Sequence, residues 1–573
     1  MDKFESQKSN IGEFFARKGV IYRVPLYQRE YSWNEENIDE LLQDLFTGES
    51  YFLGAFVLNI ENYKNDSCKD IVDGQQRILT VTIFFSILRD LFLELKDKEK
   101  STQIQNTYIS NKDDDAMDNF KVIASNTAVD FFEKYIQKEN NKIEESSPST
   151  KEELLIVNNY KKIKNFIYEK INKEENNLDK IKEIQRIREN LKNLELIVIE
   201  VGSEDDAFTF FETLNSRGMD LSQADLIKNL IFKNIKKDNK EIEKEWQKIK
   251  EAISFNDGGG VTQFLRHFWL STKSKVTEKK LFNSIKKNIN IENYEIFLSN
   301  LVDEAELYRI IVNPSPNDWD NSDLNIYKTI KKIGVLNVQQ SRSILLTLVR
   351  IIRDTDYWTK NKTRKITETL NLIENFTFAF STVSKKSPSA LEGIYSKYSI
   401  KLNNEYVKNS KNSKSELEKI LDEFKSKLLA ILPTENEFKD NFIKIEYKKS
   451  SKQIMLIRYI LEKINYNNDE QIFDHITLEH ILPQLPCADW NITEEEIQGY
   501  VNKIGNIIPL GKEYNREASN FVISNKLPMY KKSGLKMTLD IASKLEEDNT
   551  WTELEINNRT VDLANKAFDI WKV

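Results

Sequence analysis

The spacing of apolar and polar positions changes along the chain, and the changes predict where strands give way to helices. Gly19-Val-Ile-Tyr-Arg-Val-Pro25 reads as a strand. Between Trp33 and Phe46, Ile38, Leu41, Leu42 and Leu45 recur on one face of an amphipathic helix. Tyr51 to Ile60 (YFLGAFVLNI) is rich in aromatic and β-branched residues, which predicts a buried strand, and Lys69 to Val72 a short second one. A long apolar helix follows, from about Gln75 to Leu95. Residues 96–190 are rich in Lys, Asp, Glu, Asn and Ser, and predict solvated helices with a flexible loop near Glu139 to Thr150. Leu194 to Val201 (LELIVIEV) is the next strand. A helix from Asp205 to Leu214 leads into Asn215-Ser-Arg-Gly218. Ser222, with Asp225 three residues on, then opens another helix in capping-box fashion. From about 238 to 465 helical periodicity dominates without an internal repeat, and QFLRHFWL around His267 reads as a packed helix. The last hundred residues break into short segments at Pro and Gly.

These patterns predict a multidomain chain, mixed α/β in part and mostly α. An α/β domain spans 1–237 with a helical insertion at 96–190. A helical linker spans 238–455, and a C-terminal domain 456–573. With 573 residues, 39% hydrophobic and 31% charged, the chain has apolar content for several cores under a strongly charged surface. The formal net charge of −7 removes any whole-chain basic signature, so nucleic-acid binding must come from a local patch. Two cysteines, Cys68 and Cys487, form no CxxC spacing, which argues against a zinc site or disulfide framework. The polar start (MDKFESQKSN) does not read as a signal peptide, and the longest apolar run, near Ile78 to Leu88, is too short to span a bilayer. A cytoplasmic protein with no membrane partner is expected.

The candidate chemistry lies at the two ends. Near the C-terminus stands Leu478-Glu479-His480-Ile-Leu-Pro483-Gln484, followed by Gly505-Asn506-Ile-Ile-Pro509-Leu and Asn515-Arg516. One-metal phosphodiester hydrolysis needs such residues. An imidazole activates water near neutral pH, and Glu479 and Asn515 offer hard oxygens to a divalent cation. Neighbours on a strand point to opposite faces, so Glu479 and His480 can serve one site only if the chain bends; Pro483 is compatible with a turn or strand end. From Val501 to Leu539, Lys503, Lys512, Arg516, Lys526, Lys531, Lys532 and Lys536 face only Glu513 and Glu517, a local excess of five positive charges suited to phosphates. His475 reads as structural.

Near the N-terminus two segments stand out, Val24-Pro25-Leu-Tyr27-Gln28-Arg29-Glu-Tyr31-Ser-Trp33 and Ile71-Val72-Asp73-Gly74-Gln75-Gln76-Arg77. The second sits at a strand-to-helix junction. Exposed N–H groups at a helix start bind phosphate oxygens, and Arg77 adds a charged fork. Asp73 could hold a magnesium ion or orient water, while Gln28 and Arg29 reach the same pocket. Tyr27, Tyr31 and Trp33 could stack a base or pack in the core. The turn with Asn215 and Arg217 adds a third polar element, whose plainer reading is a helix end with Gly218 in a left-handed conformation.

The C-terminal segment resembles the HNH or ββα-metal nucleases through its Glu-His-Ile-x-Pro-Gln opening and the separation of Asn506 and Asn515. The trailing Asn520-Phe521, Lys526, Tyr530 and Ser533 resemble the subfamily found in GmrSD-type restriction proteins. That resemblance implies His480 as general base, Glu479 and Asn515 as ligands of Mg²⁺ or Mn²⁺, and Asn506 as a catalytic-site residue bracing the loop and the histidine. Many HNH enzymes carry a histidine ligand where Asn515 stands here. The N-terminal motifs resemble the DGQQR family, fused to HNH domains in GmrSD-type, BrxU-type and SspE-type defence proteins, with a fold related to ParB and sulfiredoxin. The resemblance covers roughly residues 10–235 and 455–550. It implies binding and hydrolysis of a nucleoside triphosphate (GTP, UTP or ATP) by Gln28, Arg29, Asp73, Gly74, Gln75, Gln76, Arg77, Asn215 and Arg217, with Asp73 and Arg77 catalytic. The expected whole is an NTP-regulated HNH endonuclease restricting foreign DNA, modified phage DNA included. Its basic residues Lys503, Lys512, Arg516, Lys526, Lys531 and Lys532 would contact DNA, and its long helices permit a homodimer. The alternative is a nucleotide-dependent DNA-binding regulator with an inactive HNH domain.

Overall fold

The structure, a computed structural model, describes residues 4–46, 51–61, 68–112, 118–124, 128–139, 142–203, 206, 222–254, 260–354, 360–408, 413–466, 476–548 and 550–572. The chain forms two compact units, Met1–Trp246 with Ile285–Glu295, and Gln247–Ser284 with Ile296–Val573.

The first unit contains strands β1 (Phe4–Asn10), β2 (Ile21–Arg23), β3 (Phe52–Asn59), β4 (Cys68–Asp73), β5 (Ser110–Lys112), β6 (Asp118–Phe120), β7 (Val122–Ile123) and β8 (Glu195–Val201). Six of them make one mixed sheet in the order β1-β8-β3-β4-β2-β7, while β5 and β6 pair separately. Central β3 runs parallel to β8 and antiparallel to β4. The four strands expected from the sequence are β2, β3, β4 and β8. Strand β1 was not among them, because its residues after Phe4 are polar and mostly exposed; a seven-residue antiparallel ladder to β8 holds it instead.

Helix Gln75–Glu94 leaves β4 through Gly74 and is buried on nearly every side, from Gln75 and Ile78 to Leu91 and Phe92. A helix apolar all round belongs inside a core. It packs against helices Lys151–Ile171 and Asn177–Lys192, which belong to the expected insertion. Thr150 and Glu153 close a capping box on the first of these, and Ser222 with Asp225 close another on helix Gln223–Asn234. Apart from Asp206, the expected helix Asp205–Leu214 lies outside the described residues, as do the Asn215–Gly218 turn and His475.

The second unit is helical except for a two-stranded antiparallel ribbon, β9 (Ile476–His480) with β10 (Ile507–Gly511), among the described residues. Strand β10 runs directly into helix Lys512–Ala518, giving the order strand, strand, helix. Helix Ser451–Tyr466 crosses the boundary expected at 455, and its Ile457, Tyr459 and Ile460 share one core with Phe378, Phe438, Ile507 and Trp571. A buried polar network runs through this core. Lys463 Nζ and Tyr459 Oη both donate to Glu374 Oε1, at 2.6 and 2.7 Å, and Trp571 Nε1 donates to Tyr459 Oη at 2.7 Å.

Candidate functional site

Strand β9 carries Glu479 and His480 through an unbroken ladder, Glu479 opposite Ile508 and His480 opposite Ile507. The bend that would turn both side chains to one site is absent, so alternation sends them to opposite faces. His480 lies against Tyr447, ring centroids 4.7 Å apart and nearly perpendicular. The Asn502 side chain hydrogen-bonds its ring, and Nε2 is buried with no partner. Burial is the main reason its pKa falls to about 4, with Lys526 and Lys449 pushing the same way and Asn502 opposing them. The imidazole is therefore neutral at pH 7, with Nε2 free of any hydrogen bond among the described residues. Asn515, on helix Lys512–Ala518, donates through Nδ2 to Thr477 Oγ1 (2.8 Å) and the Leu478 carbonyl (3.1 Å), which leaves Oδ1 available.

Other expected site residues are placed in the interior. Lys526, expected on a phosphate-binding surface, is fully buried; its ammonium donates to Glu479 Oε1 at 2.6 Å and to the carbonyls of His480 and Ile481 at 2.8 and 3.2 Å. Asn506 is also fully buried. Its Nδ2 donates to the carbonyls of Leu482 and Val501, and its Oδ1 accepts from the Leu482 N–H and Trp551 Nε1. All four side-chain bonding positions of the amide are filled. Asn506 holds the loop after β9; among the described residues no bond joins it to His480, and none is left for a reacting group. On the surface, Lys512, Arg516 and Lys532 are exposed and form no ion pair among the described residues, whereas Lys531 pairs with Glu546 at 2.6 Å and Lys503 donates to Asn557 Oδ1.

The N-terminal motif forms a second polar cluster. Gly74 has φ of +96°, and a Cβ there would stand 2.6 Å from the Phe56 ring, so the turn into helix Gln75–Glu94 requires glycine. The glutamines stitch the preceding segment to this turn. Gln28 Nε2 donates to the Val72 carbonyl, Gln75 Nε2 to that of Arg29, and Gln76 Nε2 to that of Glu30, while Gln76 Oε1 accepts from the Ser32 N–H. Arg77 donates to the Leu53 carbonyl at 2.9 Å, pairs with Asp73 at 3.4 Å and lies over the Phe56 ring. Burial lowers its pKa despite Asp73. Gln75 Oε1 is buried without a partner. Asn215 and Arg217 lie outside the described residues.

Two family models match these regions. The model for the GmrSD restriction endonuclease N-terminal domain covers residues 11–232, and that for the C-terminal domain of GmrSD restriction endonucleases covers residues 432–566. Together they span more than half of the chain. The chain belongs to the GmrSD restriction endonuclease family. No curated protein matches it.

In this GmrSD chain the donors offer a divalent cation one open oxygen, Asn515 Oδ1. They do not fit at Glu479, whose carboxylate accepts from Lys526, from Tyr530 Oη at 3.0 Å and from the His480 backbone N–H. Among the described residues no group of three or more His, Cys, Asp or Glu could hold a metal, and no helix is long and apolar enough to cross a membrane. The fold also adds residues that the sequence reading missed. The Tyr447 N–H donates to the Asn502 carbonyl and the Ile504 N–H to that of Ile445, so residues 445–449 run beside the histidine. They bring Lys448 and Lys449 there, both exposed and without an ion-pair partner among the described residues. These lysines lie outside the basic stretch evident in the sequence, and only the fold reveals them.

Proposed function

We propose that the protein is a metal-dependent HNH endonuclease of the ββα-metal type that restricts foreign DNA under the control of a nucleoside triphosphate. The observation that carries this reading is His480, a neutral imidazole whose Nε2 has no partner, on a ribbon that leads into the helix of Asn515. In cleavage, Nε2 takes a proton from water as the water oxygen bonds to phosphorus and the phosphorus–oxygen bond to the leaving strand breaks. Asn502 fixes the ring during this transfer. A divalent cation, when bound, stabilises charge at the scissile phosphate; Asn515 would hold it. Lys448, Lys449, Lys512, Arg516 and Lys532 would take neighbouring phosphates.

The nucleotide reading rests on the turn at Gly74. Its helix start presents N–H groups without partners inside the helix, and Gln75 Oε1 is a buried acceptor still open. Hydrolysis of GTP, UTP or ATP there would use Asp73 and Arg77.

The test compares wild type with His480→Ala on plasmid and modified phage DNA, with Mg²⁺ or Mn²⁺ and each triphosphate in turn. His480→Ala should cut at least about 100-fold more slowly. Because burial holds the histidine neutral, the acid limb of wild-type kcat/KM should fall well below pH 6.5, towards 4. Equal cutting by the two proteins would refute the assignment.

A further inference from the structure

We infer that Glu479 is a positioning residue and not a metal ligand: with Lys526 and Tyr530 it forms a buried lock that sets the peptide carrying His480. The inference rests on the nuclease reading above, and departs from the role that HNH resemblance gives the residue. The regular ladder through Glu479 and His480 sends the glutamate into the core as the histidine faces Tyr447 and Asn502. Lys526 approaches from helix Ile523–Lys531. An ammonium has three protons, and each has an acceptor here: Glu479 Oε1, the His480 carbonyl and the Ile481 carbonyl. Tyr530, one turn further along the same helix, donates to the same carboxylate oxygen. Lysine and glutamate side chains are 0 and 6% exposed.

This arrangement clamps the stretch 479–482 from two directions. Lys526 holds the carbonyls of His480 and Ile481, and Asn506 holds the N–H groups of Ile481 and Leu482 through its backbone and side-chain oxygens. The peptide that aims the imidazole therefore has few free motions. A cation drawing on Glu479 would have to strip the carboxylate from Lys526 and leave a buried ammonium without its counter-charge, a heavy penalty in this environment.

The experiment uses the full chain as Glu479→Gln, Lys526→Met, the double variant and Asn515→Ala. Direct Mn²⁺ binding, Tm, and kcat and KM for plasmid cleavage are measured well below Tm. The lock predicts that Glu479→Gln binds Mn²⁺ within about twofold of wild type, whereas Asn515→Ala binds at least about tenfold more weakly. Lys526→Met should lower Tm by roughly 10 °C, and the double variant should regain part of that loss, because no charge is left unpaired. Glu479→Gln should lower kcat about tenfold with KM unchanged, since a displaced base slows chemistry without loosening DNA; a merely structural role would move Tm alone. Loss of Mn²⁺ binding in Glu479→Gln with Tm intact would overturn the lock, as would strictly additive Tm changes. Should Lys526→Met fail to fold, Glu479→Gln carries the test alone, since it removes only the negative charge opposite Lys526 and keeps the size of the side chain. Failure of the nuclease reading shows separately, as cleavage indifferent to His480.

Discussion

The ribbon around His480 and the turn around Gly74 are both built from motif residues, yet they divide scaffolding from chemistry differently. In the ribbon the division runs between residues. Glu479, Lys526 and Asn506 are absorbed into the interior, while His480 Nε2 and Asn515 Oδ1 are left open. In the turn the glutamines are engaged in joining it to the segment before it, and among the described residues Gln75 Oε1 is a buried atom there without a partner. A motif residue is thus an unreliable guide to chemistry until its hydrogen bonds are counted. A saturated buried group stabilises; an unsatisfied one is where a ligand gains most.

The sharpest way to break the comparison is through the backbone. A Cβ on Gly505 would stand 2.1 Å from the Ile556 carbonyl oxygen and 2.9 Å from the Thr560 nitrogen, both backbone of helix Glu553–Ile570. That helix cannot yield as a flexible side chain would, so Gly505→Ala should destabilise the second unit by about 3 kcal/mol or more. Gly74→Ala adds a positive φ to its clash with the Phe56 ring, a movable side chain, and should lose about 2 kcal/mol in the first unit. Urea midpoints of the two variants, followed by tryptophan fluorescence, check the order. The reverse order would mean that helix Glu553–Ile570 is not fixed on the ribbon.

A smaller change tests whether hydrogen-bond saturation separates the two kinds of residue. Gln76 bonds the chain before it at both ends of its amide, whereas Gln75 makes one such bond and keeps an open oxygen. Gln76→Leu should lose about 2 kcal/mol of stability by stripping Glu30 and Ser32 of partners. Gln75→Leu should lose about 1 kcal/mol but weaken nucleotide binding about tenfold. Calorimetric nucleotide titration beside thermal melts reads both quantities. Weaker binding in Gln76→Leu at full stability would contradict the distinction.

Much of the fold was legible because it follows from local periodicity. Strands β3 and β8, helix Gln75–Glu94 and the Ser222 capping box stand close to where the pattern sets them. Strand β1 was illegible because an edge strand held by backbone ladder bonds needs no apolar side chains. At the site, the identities of His480 and Asn515 were readable, but the fate of Lys526 was not. A lysine in a basic stretch reads as surface, and what buries it is Glu479, 47 residues away. The contribution of residues 445–449 was hidden for the same reason, since only the pairing of Tyr447 and Ile445 with Asn502 and Ile504 brings Lys448 and Lys449 beside the histidine.

Those two lysines supply the smallest expected effect. They are exposed and without an ion-pair partner among the described residues, so replacing both with alanine should leave Tm within roughly 1 °C. DNA binding should respond instead. Each phosphate contact releases condensed counterions, so the slope of log affinity against log salt should fall by about 0.9 for each lysine removed. Lys531 offers the internal control, because Glu546 already neutralises it at 2.6 Å and its loss releases fewer ions. Binding isotherms at several salt concentrations, with His480→Ala as background to prevent cutting, separate the cases. Equal slopes for the double variant and the parent would place the DNA path away from residues 445–449, and leave Lys512, Arg516 and Lys532 to carry it alone.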